Sequence, residues 1–218
     1  MSTMRFNSIM FGNCVSYLLV IRPLVVAGSI ALRQTLTAVE KYRARLVAQG
    51  FSQKPHLDYT ETFAPLAKFA SLQTVLALAA AEDMEVHTMD VSSVFLNGDL
   101  DKEIYMAQPE GFAAPAQEHL VCRLKKSLYG LKHPRQWYQK LHSTFVALGF
   151  SRCASDHCVW VWAKNGIKVI IPAYVDDLTI ACKHTPTLKH LKAELHKQYK
   201  MHDLGPIKYI LGIEVIRD

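Results

Sequence analysis

The feature that most constrains the fold is a pair of predicted β-hairpins in direct succession. Asn165-Gly166, the dipeptide most typical of a two-residue hairpin turn, joins the apolar segments CVWVWA and IKVIIPAYV. A second hairpin follows at once, with Asp176-Asp177 at its tip and LTIAC as the returning strand. Because the flanking strands are strongly apolar, they anchor the backbone while the tip stays available. The sequence therefore predicts an antiparallel sheet that presents two adjacent carboxylates.

The surrounding segments predict helices packed on this sheet. Ser71 is a candidate N-cap for an apolar helix, Pro134 opens a second helix that stops at Gly149, and Thr185 begins a third with leucines on one side and lysines on the other. Further strand candidates are EVHTMDV, EIYMAQ, HLVCRL and IKYILGIEV. This order favours an α+β fold of the split β-α-β kind, with helices on one face of an antiparallel sheet.

A third carboxylate changes how the hairpin tip is interpreted. Asp176 and Asp177 alone suit an ordinary tight turn. Asp90 also ends an apolar strand, and we expect it on the adjacent strand of the same sheet. Three carboxylates at strand ends repel one another unless cations neutralise them, and Mg²⁺ prefers oxygen ligands. A pair of such ions can stabilise both the attacking and the leaving oxygen of a phosphoryl displacement, so the pattern predicts nucleotidyl transfer.

Charge and cysteine usage indicate the type of partner and the cellular location. Lys and Arg total 25 against 19 Asp and Glu in 218 residues, and the net charge of +6 favours a polyanionic partner such as nucleic acid. Five cysteines without paired spacing favour a reducing, intracellular location, in cytoplasm or nucleus, over secretion. The cluster of Cys153, Asp156, His157 and Cys158 is a poor zinc candidate, since adjacent His157 and Cys158 point to opposite faces of a strand.

The apolar stretch from Met10 to Leu32 leaves a membrane-tethered protein as an alternative. Its apolar side chains favour insertion by roughly 3 to 7 kcal/mol, whereas a central Arg22 costs roughly 2.5 to 3.5 kcal/mol and Pro23 adds to that cost. The two contributions nearly balance. A buried or poorly ordered N-terminal piece is the simpler interpretation.

A series of segments carries a resemblance to a known family. In order, they are KYRARLVAQGF, YTETFAPLAKFASLQTVLALAA, MDVSSVFLNGDLDKEIYMAQPEGF, LKKSLYGLKHPRQWYQKL, SDHCVWV, AYVDDL and DLGPIKYILGIEV. From about Lys41 to Asp218 the chain resembles the reverse transcriptase of copia-type LTR retrotransposons. The resemblance divides the chain into a non-family segment at 1–39 and a reverse transcriptase region at 40–218. It implies the fingers and palm of a right-hand polymerase, truncated before the thumb.

The resemblance also implies a catalytic centre. Asp90 and Asp176 would be the principal ligands of two Mg²⁺ ions, which Mn²⁺ could replace, with the Val91 carbonyl helping and Asp177 close by. These groups would align a primer 3′ hydroxyl with the α-phosphate of a dNTP. Phe95 matches the position of a bulky side chain beneath the sugar, although it also suits a core aromatic residue.

Other positions follow from the same resemblance. Arg43 and Arg45 would bind the triphosphate, because guanidinium geometry suits phosphate oxygens; solvated arginines are the alternative. The loop expected near nucleotide and template contains Tyr129, Gly130 and Lys132. Leu211 and Gly212 match the family's primer-grip strand, although plain sheet packing suits them almost as well. The implied partners are an RNA or DNA template-primer and dNTP. Thumb, RNase H and integrase segments of a polyprotein are expected to lie outside this chain.

Several departures from the family pattern bear on activity. After Lys132 only His133 and Pro134 precede Arg135, so one residue is missing together with the usual Gln. Ser92 and Val94 replace the usual lysine and alanine. The sequence therefore predicts an RNA-directed DNA polymerase domain that is weak or inactive as a fragment. A catalytically silent remnant that only binds nucleic acid is the alternative.

Overall fold

A computed structural model of the chain describes residues 11–15, 26–33, 41–59, 62–109, 117 and 119–217. In chain order, the strands of these residues are β1 (Phe11–Val15), β2 (Val26–Arg33), β3 (Lys41–Ala48), β4 (Glu85–Val91), β5 (Tyr105–Ala107), β6 (Val121–Leu124), β7 (Ser151–Arg152), β8 (Val159–Lys164), β9 (Ile167–Tyr174), β10 (Asp177–Cys182), β11 (Met201–Pro206), β12 (Tyr209–Ile210) and β13 (Ile213–Glu214). The α-helices are α1 (Phe69–Ala81), α2 (Pro134–Ala147) and α3 (Thr185–Gln198), with 3₁₀ turns at Gly50–Ser52 and Val94–Asn97.

The chain forms two compact units. The first comprises Met1–Phe63 and Phe95–Trp137, and the second comprises Ala64–Val94 and Tyr138–Asp218. In the first unit, β1, β6 and β5 form one antiparallel sheet, and β2 pairs with β3 in another. The pairing of β5 with β6 confirms the strands predicted at EIYMAQ and HLVCRL. A cluster of buried side chains forms the core of this unit: Ala48, Ile104, Met106, Leu124, Leu128 and Leu131.

The second unit is built on a six-stranded antiparallel sheet of order β11-β4-β10-β9-β8-β7. Its hairpin β8–β9 turns at Asn165 and Gly166, as predicted. Along the chain, β4, α2, β9, β10, α3 and β11 follow one another with further elements between them, while in space β4 lies between β10 and β11. This is the split β-α-β arrangement expected from the sequence.

The helices of this unit do not all lie on one face of the sheet, which corrects the prediction. Val75 and Ala79 of α1 share a core cluster with Ile170 and Ala181, together with Val159. The next residue, Trp160, packs its ring 5.1 Å from that of Phe145 on α2. Successive side chains of a strand point to opposite faces, so α1 and α2 cover opposite faces. The reason is that β8 to β10 are apolar on both faces, and each face needs its own cover.

Helix α1 is capped by a distant carboxylate. It begins at Phe69, two residues before the predicted N-cap Ser71, and the side chain of Lys68 at the N-cap makes no capping hydrogen bond. Asp156 accepts hydrogen bonds from the backbone N–H groups of Lys68 at 2.7 Å and Cys158 at 2.9 Å. A carboxylate at a helix N-terminus satisfies an otherwise unpaired amide and favours the helix dipole. Asp156 therefore has a structural role at the start of α1.

The strands near the C-terminus differ from the sequence prediction in two respects. MHDLGP forms β11, which was not predicted, at one edge of the sheet. The single strand expected at IKYILGIEV is instead a short hairpin of β12 and β13. Leu211 and Gly212 form its turn, with φ angles of 48° and 82°, rather than part of a strand.

Part of the apolar stretch considered as a membrane anchor is described, and it is β-strand at 11–15 and 26–33. The remainder of Met10 to Leu32 lies outside the described residues. Across the part of the chain that the structure describes, no helix is both long and apolar enough to cross a membrane.

Candidate active site

The three carboxylates singled out from the sequence meet at one end of the second unit's sheet. Asp177 is the first residue of β10 and lies directly opposite Asp90 on β4. Side chains of directly opposite residues share a face, with Cβ atoms about 4.5 to 5.5 Å apart. Asp176 immediately precedes Asp177 in the hairpin turn. The expected placement of Asp90 beside the hairpin is therefore confirmed.

The turn that carries these residues differs by one residue from the prediction. Tyr174 pairs with Asp177, so the two turn residues are Val175 and Asp176, and Asp177 already belongs to the strand. Val175 has a φ of 55°, in the left-handed region that β-branched residues rarely adopt. Such a conformation costs on the order of 1–2 kcal/mol. The hairpin thus holds its carboxylates on a strained turn.

A backbone hydrogen bond ties the turn to the neighbouring strand. The N–H of Val91, the last residue of β4, donates to the carbonyl of Asp176 at 2.9 Å. The next amide, that of Ser92, donates to the carbonyl of Lys200 at 2.9 Å. These bonds fix the end of β4 on both sides, so Asp90 and the hairpin turn hold a defined mutual position.

The electrostatics of the site favour a bound cation. Asp177 and Asp90 are partly buried, whereas Asp176 is exposed. Burial, followed by the charges of Asp176 and Asp90, raises the pKa of Asp177. Among the described residues, no group of three His, Cys, Asp or Glu side chains is arranged to hold a metal by itself. Mg²⁺ at phosphate-processing sites is usually shared between one or two carboxylates and the substrate phosphates, so this donor set fits it.

Phe95 and the loop around Tyr129 lie together in the first unit. The two rings meet edge to face, with centroids 4.9 Å apart and an interplanar angle of 74°. The N–H of Ala48 donates to the carbonyl of Tyr129 at 2.8 Å. A Cβ on Gly130, whose φ is 86°, would lie 2.1 Å from the carbonyl oxygen of Ala48. Only glycine allows the loop to approach the end of β3 this closely.

Lys132 is held by two residues that the sequence analysis missed. Its backbone N–H donates to the side-chain oxygen of buried Gln53 at 2.7 Å. Its ammonium lies 3.3 Å from the hydroxyl of Tyr59 and 5.0 Å from that ring's centroid. His133, in the shortened stretch after Lys132, is buried, and its burial lowers its pKa. Long-range contacts of this kind leave no local sequence signal.

The remaining predicted residues are placed by their backbone. Arg43 and Arg45 lie in β3 opposite Ala31 and Ser29 of β2, and alternation puts them on one face. Their side chains lie outside the described part of the structure. The carboxylates and the Leu211 turn belong to the second unit, whereas Phe95, the Tyr129 loop and β3 belong to the first.

Comparison with known proteins identifies the family. Residues 27–218 match the family described as Reverse transcriptase (RNA-dependent DNA polymerase). This chain belongs to that reverse transcriptase family. The match starts at residue 27, inside the segment 1–39 that the sequence analysis placed outside the family.

Relatives of this reverse transcriptase chain are transposon polyproteins. It is 45% identical over 181 residues to the Retrovirus-related Pol polyprotein from transposon TNT 1-94 of Nicotiana tabacum, covering 82% of this chain and 14% of the relative. It is 38% identical to the corresponding polyprotein from transposon RE2 of Arabidopsis thaliana, covering 83% and 12%. The truncated transposon Ty1-A Gag-Pol polyprotein of Saccharomyces cerevisiae is 32% identical, covering 80% and 15%. The chain thus spans at most 15% of the length of these three relatives. The predicted copia-type reverse transcriptase resemblance is confirmed.

The burial of one lysine in this reverse transcriptase chain differs from the prediction, although the helix spacing of the sequence indicates it. The lysines of α3 were expected on its solvated side, but Lys192 is buried. Leu188, Leu191, Lys192 and Leu195 follow the i, i+3, i+4, i+7 spacing of an apolar helix face. A lysine inside that spacing indicates a buried ammonium with specific partners.

Proposed function

We propose that this chain performs RNA-directed DNA polymerisation, transferring a deoxynucleotide from dNTP to a primer 3′ hydroxyl on an RNA or DNA template. The observation that supports this most is the register of β10 on β4, which sets Asp177 opposite Asp90 with Asp176 beside them. Family membership supplies the reaction class, and these carboxylates supply groups suited to it.

Asp90 and Asp176 would hold two Mg²⁺ ions, with Asp177 and the Val91 carbonyl as further oxygen donors. When bound, these ions would stabilise charge on the attacking and leaving oxygens of the displacement. The protein's part is to fix the carboxylates before substrate arrives. The bond between Val91 and the Asp176 carbonyl and the pairing of Asp177 with Tyr174 provide that rigidity.

By the family resemblance, residues of the fingers would bind the nucleotide and residues of the palm would supply the catalytic carboxylates. Phe95, braced by Tyr129, would lie beneath the sugar and exclude a 2′-hydroxyl. Arg43, Arg45 and Lys132 would contact the triphosphate. The turn at Leu211 and Gly212 would contact the primer. Because the relatives are far longer polyproteins, other polyprotein segments would complete the grip on the duplex.

Primer extension on an RNA template with Mg²⁺ tests this proposal. Asp176→Asn should lower extension by at least about a hundredfold, since preorganised charge at a reacting centre is worth that much. Asp83→Asn is the matched control, because Asp83 is also an exposed residue of a turn and belongs to the same unit. Equal extension by wild type and Asp176→Asn would remove the catalytic role.

Nucleic-acid binding without catalysis is the second candidate. The shortened loop supports it, because buried His133 follows Lys132 and no glutamine is present there. The net charge of +6 would supply non-specific attraction to phosphates. In the same experiment, this candidate predicts salt-sensitive binding of the primer-template and no extension by the wild-type chain.

A further inference from the structure

Lys192 occupies an unusual place on α3. It lies on the apolar side of the helix with Leu188, Leu191 and Leu195, and only 8% of its surface is exposed. Burying an ammonium is costly unless its N–H groups find acceptors. The contacts of Lys192 therefore indicate what its burial achieves.

The ammonium joins three elements of the second unit. Its nitrogen lies 2.7 Å from Nδ1 of His87 on β4, and 2.8 and 3.0 Å from the carboxylate oxygens of Asp203 on β11. An ammonium can only donate, so Nδ1 of His87 accepts and the ring carries its proton on Nε2. That Nε2 lies 3.3 Å from Oε2 of Glu85. Burial, and then the charge of Lys192, lowers the pKa of His87, consistent with a neutral ring.

Asp203 lies where β11 departs from regular pairing. His202 is opposite Asp90 and Asp203 is opposite Met89, but Gly205 is opposite Thr88, so Leu204 is an extra residue. Oδ1 of Asp203 also accepts the N–H of Gly205 at 2.9 Å. The carboxylate that binds Lys192 therefore also closes the bulge. A bulge sets the register of the strand beyond it, and a slip by one residue would turn every side chain to the other face.

We propose that Lys192 is a positioning residue: by joining His87 on β4 to Asp203 at the β11 bulge, it fixes the alignment of these strands where β4 presents Asp90. The link to catalysis rests on the function proposed above for Asp90. The alignment itself is a property of the fold and can be measured separately.

Amide hydrogen exchange of the full chain, with Lys192→Met against wild type, tests the alignment. Ser92, bonded to Lys200, and Ile207, bonded to Val86, report on the two ends of the β4–β11 pairing. Two further amides report on the part of the sheet away from β11. They are the N–H of Val91, bonded to the Asp176 carbonyl, and the N–H of Ala173, bonded to the Cys158 carbonyl. Lys189→Met is the control, because Lys189 is exposed on the same helix.

Lys192→Met should speed exchange at Ser92 and Ile207 by at least about tenfold, the effect of losing a charged hydrogen bond, and leave Val91 and Ala173 unchanged. Equal acceleration at all four amides would indicate a general loss of stability and overturn the proposal, as would no change. Should Lys192→Met fail to fold, Asp203→Asn removes the same ion pair, and unchanged exchange at Ser92 and Ile207 in that variant would also overturn it.

Primer extension separates this inference from the proposed function. With an active wild-type chain, Lys192→Met should lower the extension rate constant about tenfold and leave KM for dNTP unchanged, because transition-state alignment is lost. Faster exchange at Ser92 with normal extension would overturn the positioning role. Absence of extension by the wild type would count against the proposed function alone, and the exchange result would then decide the alignment.

Discussion

The two hairpins of the second unit's sheet both turn in two residues, but with opposite residue choices. In β8–β9 the turn residues are Asn165 and Gly166, with φ angles of 52° and 75°, and both residue types tolerate this region. In β9–β10 the first turn residue is Val175 at 55°, which a β-branched side chain disfavours. Both turns contain two residues, so turn length does not explain the difference.

The surroundings of the two turns suggest the reason. Asn165 and Gly166 are exposed, and a Cβ added at Gly166 would meet no atom within 4 Å. The turn at Val175 is instead bonded to β4 through Asp176 and stands beside Asp90. Backbone strain that persists because neighbouring contacts over-determine it is typical of functional sites. The first turn therefore suits its own backbone, whereas the second is held in a disfavoured conformation by its contacts beside Asp90.

Exchanging carboxylates between the two hairpins should have the largest effect. Asp177→Asn is expected to lower primer extension by at least about a hundredfold, because it removes charge at the proposed reacting centre. Asn165→Asp adds a carboxylate to the other hairpin and should leave extension unchanged. Comparable losses in both variants would show that the two hairpins do not differ in function.

Changing the residue at a positive-φ position of each turn should have a smaller effect, on stability, with opposite signs. Gly166→Val should lower the free energy of unfolding by about 1–2 kcal/mol, since it places a β-branched residue in the left-handed region. Val175→Gly relieves a similar strain of about 1–2 kcal/mol but loses about 0.5–1 kcal/mol to glycine's greater entropy when unfolded, so a net gain of about 0–1.5 kcal/mol is expected. Urea unfolding of both variants measures these changes, and destabilisation by Val175→Gly would argue against strain.

The smallest expected effect is a pH dependence of stability confined to the carboxylate hairpin, the β9–β10 hairpin that carries Asp176 and Asp177. Burial and the neighbouring carboxylates raise the pKa of Asp177 above its ordinary value of 3.8, so the folded state binds more protons than the unfolded state. The stability contributed by this group is therefore fully present below the ordinary value and is lost as pH rises through the folded pKa. Without divalent ions, Asp177→Asn should become more stable than wild type as pH rises. A stability difference between Asp177→Asn and wild type that stays constant as pH rises would contradict a raised pKa for Asp177.

The hairpins also show how far the sequence could predict the structure. Asn165-Gly166 predicts its turn correctly because both residues suit the backbone they adopt. At AYVDDL the turn was placed one residue late, since local preference favours aspartates over valine at a tip. The neighbourhood of Asp90 and Asp177 was predicted because both lie next to the ends of apolar segments of a single sheet.

Features that depend on distant residues could not be predicted. The capping of α1 by Asp156 joins positions 88 residues apart, and no local pattern indicates it. The contact of Gln53 with Lys132 spans 79 residues. Lys192 could be predicted in part. Its place in the apolar spacing of the helix can be read from the sequence, whereas its partners His87 and Asp203 cannot.

Divalent-ion binding tests most directly the claim that the carboxylate hairpin is held for a cation. Mn²⁺, as a spectroscopic substitute for Mg²⁺, can be titrated by electron paramagnetic resonance into the wild-type chain, Asp90→Asn and Asn165→Asp in the presence of dNTP. Asp90→Asn should weaken Mn²⁺ binding by at least about tenfold, as expected when an oxygen donor is removed, and Asn165→Asp should bind Mn²⁺ like wild type. Equal Mn²⁺ binding by all three proteins would contradict a cation site at Asp90.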